Sequence, residues 1–170
     1  GLVPHRLVGD FDSVPSALLQ RATAAGAQRR QHPRDKDASD LALALLGLCE
    51  DGPEAVTVLG VSGGRTDHLL FNWLLPAWRD WPFTLRLVDG SSDARVATSA
   101  HAVDFACEPN ALVSLLPLSR VEGITTGGLR YALRDRSMLP GDTLGLSNVA
   151  TGEPVRVRVS SGTLLVVRVR

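Results

Sequence analysis

A single lysine, Lys36, stands among 18 basic residues, and the other 17 are arginine. Neither sign of charge is in surplus: 18 Lys and Arg offset 18 Asp and Glu, for a formal net charge of zero. A general binder of nucleic acid needs a basic excess to displace counterions from phosphates, so no nucleic-acid partner is expected. Long apolar runs are also missing. No stretch approaches the roughly 18–20 residues that a helix needs to cross a bilayer, so no membrane partner is expected either. Two cysteines, Cys49 and Cys107, are too few for a disulfide framework, and a reducing cytoplasm is the expected location. There is no CxxC or HExxH spacing to suggest zinc. The opening segment from Gly1 to Val8 is short and broken by Pro4, His5 and Arg6, unlike a secretory leader. Because the first residue is Gly1 rather than Met, a piece of a longer chain is the expectation.

What is present is globular in balance: 170 residues, 44 % hydrophobic and 21 % charged, enough for one ordinary domain or two small ones. The arginine preference matches GC-rich codon usage, yet a lone lysine among carboxylates also points to a site. The first half alternates strand-like and helix-like segments. Leu7-Val8 runs into Gly9-Asp10-Phe11-Asp12-Ser13, where Ser13 is a candidate cap for a helix with Ala17, Leu18, Ala22 and Ala25 on its apolar face and Gly26 as its stop. A polar stretch, 28–37, follows. Asp37 or Ser39 then caps a leucine-rich helix ended by Gly52-Pro53. Val56 to Val61 reads as a buried strand, and a helix from Asp67 to Trp78, bent at Pro76, precedes another strand, Thr84 to Val88. Beyond Asp93, strands are expected at 112–116, 155–159 and 164–169. Turn signals separate them at Pro109-Asn110, Pro140-Gly141, Thr151-Gly152 and Ser161-Gly162. The predicted fold is α/β: a parallel-sheet N-terminal domain over 1–92, followed by a C-terminal β-sandwich over 93–170.

Three clusters carry candidate chemistry. Asp10 and Asp12, two apart in an extended segment, would face one side while Phe11 points into the core, and two hard carboxylates together suit Mg²⁺. The competing reading is a polar turn with an Asx cap. Asp37 and Asp40 flank a helix start, where capping explains them equally, and Lys36 beside them suits a phosphate. Gly63-Gly64-Arg65-Thr66-Asp67-His68 joins paired glycines to an arginine fork matched to phosphate oxygens, without a P-loop ending. Its plainer reading is a tight turn with a surface Arg–Asp pair. In the second half, Gly123-Ile124-Thr125-Thr126-Gly127-Gly128-Leu129-Arg130-Tyr131 and Leu146-Ser147-Asn148 combine small hydroxyls with the only tyrosine, fit to meet a heteroaromatic ring or merely to make two β-turns. His68 reads as structural, the cysteines as core residues, and Trp73 and Trp78 as helix packing.

In order and spacing, these motifs resemble the thiamine pyrophosphokinase family over nearly the whole chain. The resemblance implies an α/β catalytic domain, a β-sandwich and a homodimer with the thiamine site at its interface. It implies transfer of the pyrophosphoryl group of ATP to thiamine with Mg²⁺, giving thiamine diphosphate and AMP. Carried over by motif, Asp10, Asp12, Asp40 and Asp67 are magnesium and catalytic positions, with Arg65 among the catalytic set. Lys36, Asp37, Gly63, Gly64 and Arg65 serve the nucleotide. Thr125, Thr126, Tyr131, Ser147 and Asn148 line the thiamine pocket. Family members carry a further N-terminal strand and an Asp-Gly-Gly-type segment ahead of the Gly9–Ser13 motif. Here Ser39 stands where Thr is usual, Ala42 where many bacterial members have Glu, and Tyr131 where some have Trp.

The physical logic agrees with that reading. Attack of an alcohol on a polyanionic triphosphate needs charge neutralisation and positioning, which carboxylate-held Mg²⁺, Lys36 and Arg65 would supply. Asp67 is the first choice to orient or deprotonate the hydroxyl. The alternatives are a non-catalytic thiamine- or nucleotide-binding homolog, and a Mg-dependent pyrophosphokinase acting on another alcohol such as a pterin. A haloacid-dehalogenase-type phosphatase would share the Asp-x-Asp pair but leave Gly63–His68 unexplained.

Overall fold

The computed structural model describes residues 3–169. The chain divides into two compact units, residues 1–51 and 52–170. The first is built as strand, helix, strand, helix: β1 (Arg6–Gly9), α1 (Ser16–Ala24), β2 (Gln28–Gln31) and α2 (Asp40–Asp51). β1 and β2 pair in parallel, from Arg6 opposite Gln28 to Gly9 opposite Gln31. β2 was not read from the sequence because Gln-Arg-Arg-Gln has no apolar face, and all four residues are exposed.

Backbone chemistry sets the helix ends. α1 begins after Pro15 with no side-chain cap, so Ser13 does not play the expected role. Proline's fixed φ supplies the entry, and the preceding turn closes on itself through a Val14 N–H to Phe11 carbonyl bond of 3.3 Å. Gly26 ends the helix with φ +99, its N–H reaching the Thr23 carbonyl while that of Ala27 reaches Ala22, a Schellman stop. α2 is capped by Ser39, whose Oγ accepts the Ala42 N–H at 3.2 Å. Its far end is tied to β1 by a two-point Arg6–Asp51 ion pair at 2.7 and 3.1 Å. Ala42 and Leu45 are the buried residues of α2. α1 buries none, and Leu18, Ala22 and Ala25 instead line an open groove of about 470 Å³ with Val3, Leu7 and Val14.

The second unit starts with β3 (Ala55–Leu59), α3 (Thr66–Leu74), a 3₁₀ turn (Leu75–Ala77) and β4 (Thr84–Asp89). Pro76 converts the last turn of the helix to 3₁₀, as its missing N–H requires. Then come β5 (Ser92–Ala97), β6 (Val103–Phe105), β7 (Leu112–Pro117), β8 (Val121–Gly127), β9 (Arg136–Met138), β10 (Asn148–Val149), β11 (Val155–Arg158) and β12 (Leu164–Val169). They form a six-stranded sheet in the order β10-β7-β12-β5-β4-β3 and a four-stranded sheet in the order β6-β11-β8-β9. One continuous core takes Val113, Leu115, Leu164 and Val166 from the first and Val121, Ile124, Val155 and Val157 from the second.

The molecule is mixed α/β, but its larger sheet is not the parallel one expected. Only β3 and β4 run in parallel within it, and β4 turns back into antiparallel β5. The reason is the tight link at Gly90-Ser91, with Gly90 at φ +49, a two-residue hairpin that only antiparallel strands can use. Asp89 therefore pairs with Ser92, and the sheet runs unbroken past residues 92 and 93. β3 was expected to be buried, but it lies at the sheet edge and its residues alternate between exposed and half-buried. Trp78 is likewise exposed rather than packed, whereas Trp81 and Phe83, stacked at 5.7 Å, are buried beside Leu85 and Val96.

Candidate functional site

Within residues 1–51, the candidate groups gather where β1 ends. The Asp10–Ser13 segment is a turn rather than an extended strand, and Phe11 sits in the left-handed region at φ +62. Asp10 Oδ1 accepts the Asp12 N–H at 3.2 Å, the Asx geometry of the plainer reading. Phe11 therefore does not point into the core; its ring is half-buried and lies 4.9 Å from the Arg29 guanidinium. A bulky residue at positive φ is an outlier of the kind that collects at functional sites.

Lys36 links the two carboxylates that the sequence separates by thirty residues. Its Nζ is 2.7 Å from Asp40 Oδ1 and 3.7 Å from Asp10 Oδ2. The Asp12 amide and then Lys36 hold the Asp10 carboxyl below its usual range, while Asp40 raises the Lys36 ammonium. Gly9 makes this approach possible: with φ +150, a Cβ there would lie 2.9 Å from Asp40 Oδ2. Arg34 reaches Asp12 Oδ2 at 3.9 Å from an exposed position, a contact that the motif reading missed. Asp37 lies exposed in the same loop. Among the described residues, no three His, Cys, Asp or Glu side chains form a group able to hold a metal. Asp10 and Asp40 nonetheless converge on one cation, the Lys36 ammonium, and as hard oxygen donors they fit Mg²⁺.

The glycine-rich cluster belongs to the second unit, between β3 and α3. Arg65 and Asp67 pair bidentately, with Nε to Oδ1 at 3.1 Å and Nη2 bonded to Oδ2. Arg65 and then the His68 amide lower the Asp67 carboxyl to about 2. This is the surface Arg–Asp pair of the plainer reading. Neither Gly63 nor Gly64 takes a positive φ, and a Cβ at either would meet open space, so the protein's own packing does not demand glycine there. The loop is anchored at its start by the Ser62 N–H on Asp89 Oδ2 at 2.6 Å and by Asn72 Nδ2 on the Val61 carbonyl at 2.9 Å. Asp89, at the end of β4, carried no motif signal and could not be found from sequence.

The third cluster is part strand and part turn: Leu146 and Ser147 lie in a turn, closed by the Leu146 N–H on the Thr143 carbonyl at 3.0 Å, but the first segment begins on a strand. Thr125 and Thr126 lie on β8, and Asn148 opens β10. Tyr131 and Ser147 are exposed, and Ser147 sits at φ +54. Thr126 Oγ1 accepts the Leu133 N–H at 2.8 Å, and Thr125 Oγ1 accepts that of Asp135 at 3.4 Å. Asn148 is buried and bonds both backbone groups of Tyr131. β8 carries no clear strand signal in the sequence because its two threonines and two glycines break an apolar alternation.

Comparison with known proteins bears on these clusters directly. The first 77 residues match the family described as thiamin pyrophosphokinase, catalytic domain. Residues 100–164 match thiamin pyrophosphokinase, vitamin B1 binding domain. The chain belongs to the thiamin pyrophosphokinase family. The thiamine pyrophosphokinase of Bacillus subtilis is 28 % identical over 170 residues, covering 99 % of this chain and 79 % of that protein. Thiamine pyrophosphokinase 1 of rice is 25 % identical over 177 residues, covering 98 % and 67 %. Among solved structures, the Bacillus subtilis enzyme superposes with a TM-score of 0.80 at 27 % identity, covering 99 % of this chain and 80 % of the other. A family protein from Enterococcus faecalis gives the same TM-score and identity over 98 % and 80 %. Membership places Asp10, Lys36, Asp40, Arg65 and Asp67 within the matched catalytic segment, and Thr125 to Asn148 within the matched vitamin-binding segment.

Proposed function

We propose that this chain transfers the pyrophosphoryl group of ATP to the hydroxyl of thiamine, forming thiamine diphosphate and AMP. The thiamine oxygen bonds to the β-phosphorus, the bond from that phosphorus to the bridging oxygen breaks, and AMP leaves with that oxygen. The hydroxyl proton is released. The observation that carries this reading is the convergence of Asp10 and Asp40 on Lys36 inside a segment that matches the family's catalytic domain.

The nucleotide side is assigned to residues 1–92. Lys36 and Asp37 in the first unit, and Arg65 with the open backbone at Gly63-Gly64 in the second, are each candidates to serve phosphates, Lys36 and Arg65 by offsetting charge. In the first unit, Asp10 and Asp40, with Asp12, are the carboxylates proposed to hold Mg²⁺, and Asp67 is the candidate carboxylate of the second unit. When bound, that ion supplies further neutralisation of the triphosphate. Asp67, held near 2 by Arg65, is too weak a base to remove an alcohol proton in advance, so its role is to orient the hydroxyl by accepting its hydrogen bond.

The thiamine side is assigned to residues 93–170, at the surface organised by Thr125, Thr126, Tyr131, Ser147 and Asn148. A cationic heteroaromatic ring suits the face of an exposed tyrosine. The exposed Leu144 and Leu146, which lead into Ser147, support burial of this surface in a homodimer. Two free cysteines suit a reducing cytoplasm. Among the described residues, no helix is long and apolar enough to cross a membrane.

The test is turnover by the purified protein with thiamine, ATP and Mg²⁺, with AMP and thiamine diphosphate followed by chromatography. Equimolar appearance of both is expected, and Arg65→Ala should lower kcat by about 100-fold, the typical weight of one lost electrostatic contact. Binding of both substrates without AMP release would overturn the catalytic reading in favour of a binding protein. Turnover of a pterin alcohol in place of thiamine would overturn the substrate assignment.

A further inference from the structure

The five residues of the vitamin-binding cluster do not all face a ligand. Asn148 is only 4 % exposed. Its Nδ2 donates to the Tyr131 carbonyl at 2.8 Å, and its Oδ1 accepts the N–H of Tyr131 at 3.1 Å and of Val149 at 2.8 Å. Both lone pairs of that oxygen and one of the two amide hydrogens are thus occupied by backbone, and the group has almost no surface left to offer. One side chain satisfies the N–H and the C=O of a single residue, as a neighbouring strand would.

The same loop is pinned on either side. Arg130 N–H reaches the Val149 carbonyl at 2.8 Å, and Leu129 bridges Ala150. Thr126 takes Leu133 at both ends, through its Oγ1 at 2.8 Å and its own N–H to the Leu133 carbonyl at 3.0 Å. Thr125 holds Asp135, which sits at φ +50. Between these ties stands Tyr131, whose side chain is turned outward and 64 % exposed. A tyrosine ring has two torsions, so a fixed backbone fixes the cone in which the ring sits before any ligand arrives. Pre-ordering of this kind spares the binding step the cost of ordering the loop.

We infer that Asn148 is a positioning residue for thiamine capture: it acts through the Tyr131 peptide and does not touch the ligand, while the Tyr131 ring makes the contact. The inference rests on the thiamine assignment made above. Thr125 and Thr126 support the loop in the same way, from β8.

A double-mutant cycle on thiamine affinity tests the coupling. Asn148→Ala should raise the KM for thiamine roughly tenfold, the weight of ordering about one residue's backbone on binding, with a smaller change in kcat. Tyr131→Ala should raise it by at least as much. In the Tyr131→Ala background, Asn148→Ala should add less than about twofold, because the group it positions is gone. Additive effects in the double variant would overturn the inference, as would an unchanged KM in Tyr131→Ala. Asn148→Asp provides a second variant where the alanine fails to fold. It keeps the acceptor and loses the donor, and its effect must also vanish in the Tyr131→Ala background. Amide hydrogen exchange supplies a readout independent of thiamine: Tyr131 protection should fall in Asn148→Ala while protection in β12 is retained. Undiminished Tyr131 protection would refute the hold. A wild-type protein that neither binds nor converts thiamine overturns the parent assignment instead, and the exchange arm still decides whether Asn148 holds the loop.

Discussion

Asp93 offers a direct test of how burial sets the worth of a charge in this molecule. It lies on β5, 2 % exposed, and binds Arg86 at 2.8 and 2.7 Å, with Arg95 Nη2 at 3.7 Å. Asp93→Ala would leave two guanidiniums facing each other across β4 and β5, where Arg86 and Arg95 are directly paired. Removal of one partner from a fully buried pair costs about 3–5 kcal/mol. Arg86 and Arg95 keep 37 % and 24 % of their side-chain surface, so water takes over part of the lost interaction, and about 2–3 kcal/mol is expected. Asp104, paired with Arg156 at 3.1 Å, shares the chemistry but not the burial, since both side chains are more than half exposed. Asp104→Ala should cost less than about 1 kcal/mol. Trp73, Trp78 and Trp81 all fall in the second unit, so tryptophan fluorescence in urea reports on its unfolding. With a slope near 2 kcal/mol per molar, Asp93→Ala should lower the midpoint by about 1–1.5 M with the slope unchanged. Equal costs for the two variants, or a negligible shift for Asp93→Ala, would refute the reasoning.

The remaining predictions concern the site and its scaffold. Asp67, depressed to about 2 by Arg65, should remain ionised in carboxylate NMR titrations to well below pH 3.8. Because its folded value lies below the unfolded one, its contribution to stability is complete above pH 3.8 and is lost as pH falls toward 2; Arg65→Ala should raise its titration toward the unfolded value but not all the way, because the His68 amide still bonds it. Gly9→Ala should push Asp40 off Lys36 and lower kcat well beyond any loss of stability, as measured by paired turnover and melting assays. Gly128→Ala, at φ +71 with its Cβ striking the Pro154 carbonyl, should destabilise the second unit by more than about 2 kcal/mol in the same urea assay.

Much of the molecule follows from local chemistry. Gly26 stops α1, Ser39 caps α2, Pro76 ends α3 in a 3₁₀ turn, and the Val and Leu runs at 112–117 and 164–169 become β7 and β12. These features need only nearest neighbours along the chain: a φ a residue permits, a side-chain oxygen in reach of an amide, an apolar surface that must leave water. The motif residues were legible for the same reason, since charge, hydroxyl and ring chemistry do not depend on the fold. What each one touches was not legible. Asp10 and Asp12 alternate in sequence, yet Phe11 between them takes a left-handed turn. Four polar residues become β2 because β1 lies alongside to pair with them. A two-residue link at Gly90-Ser91 reverses the direction of the sheet.

The division is clearest at Lys36 and Asn148. Sequence determined that one ammonium and one carboxamide stood among candidate groups, and it determined the turns and strands that carry them. Only the tertiary structure decided that Lys36 bridges Asp10 and Asp40, and that Asn148 spends its bonds on Tyr131. Hydrogen bonds and ion pairs act over about 3–4 Å, and partners 17 and 26 positions apart along the chain come within that range only after the chain has packed.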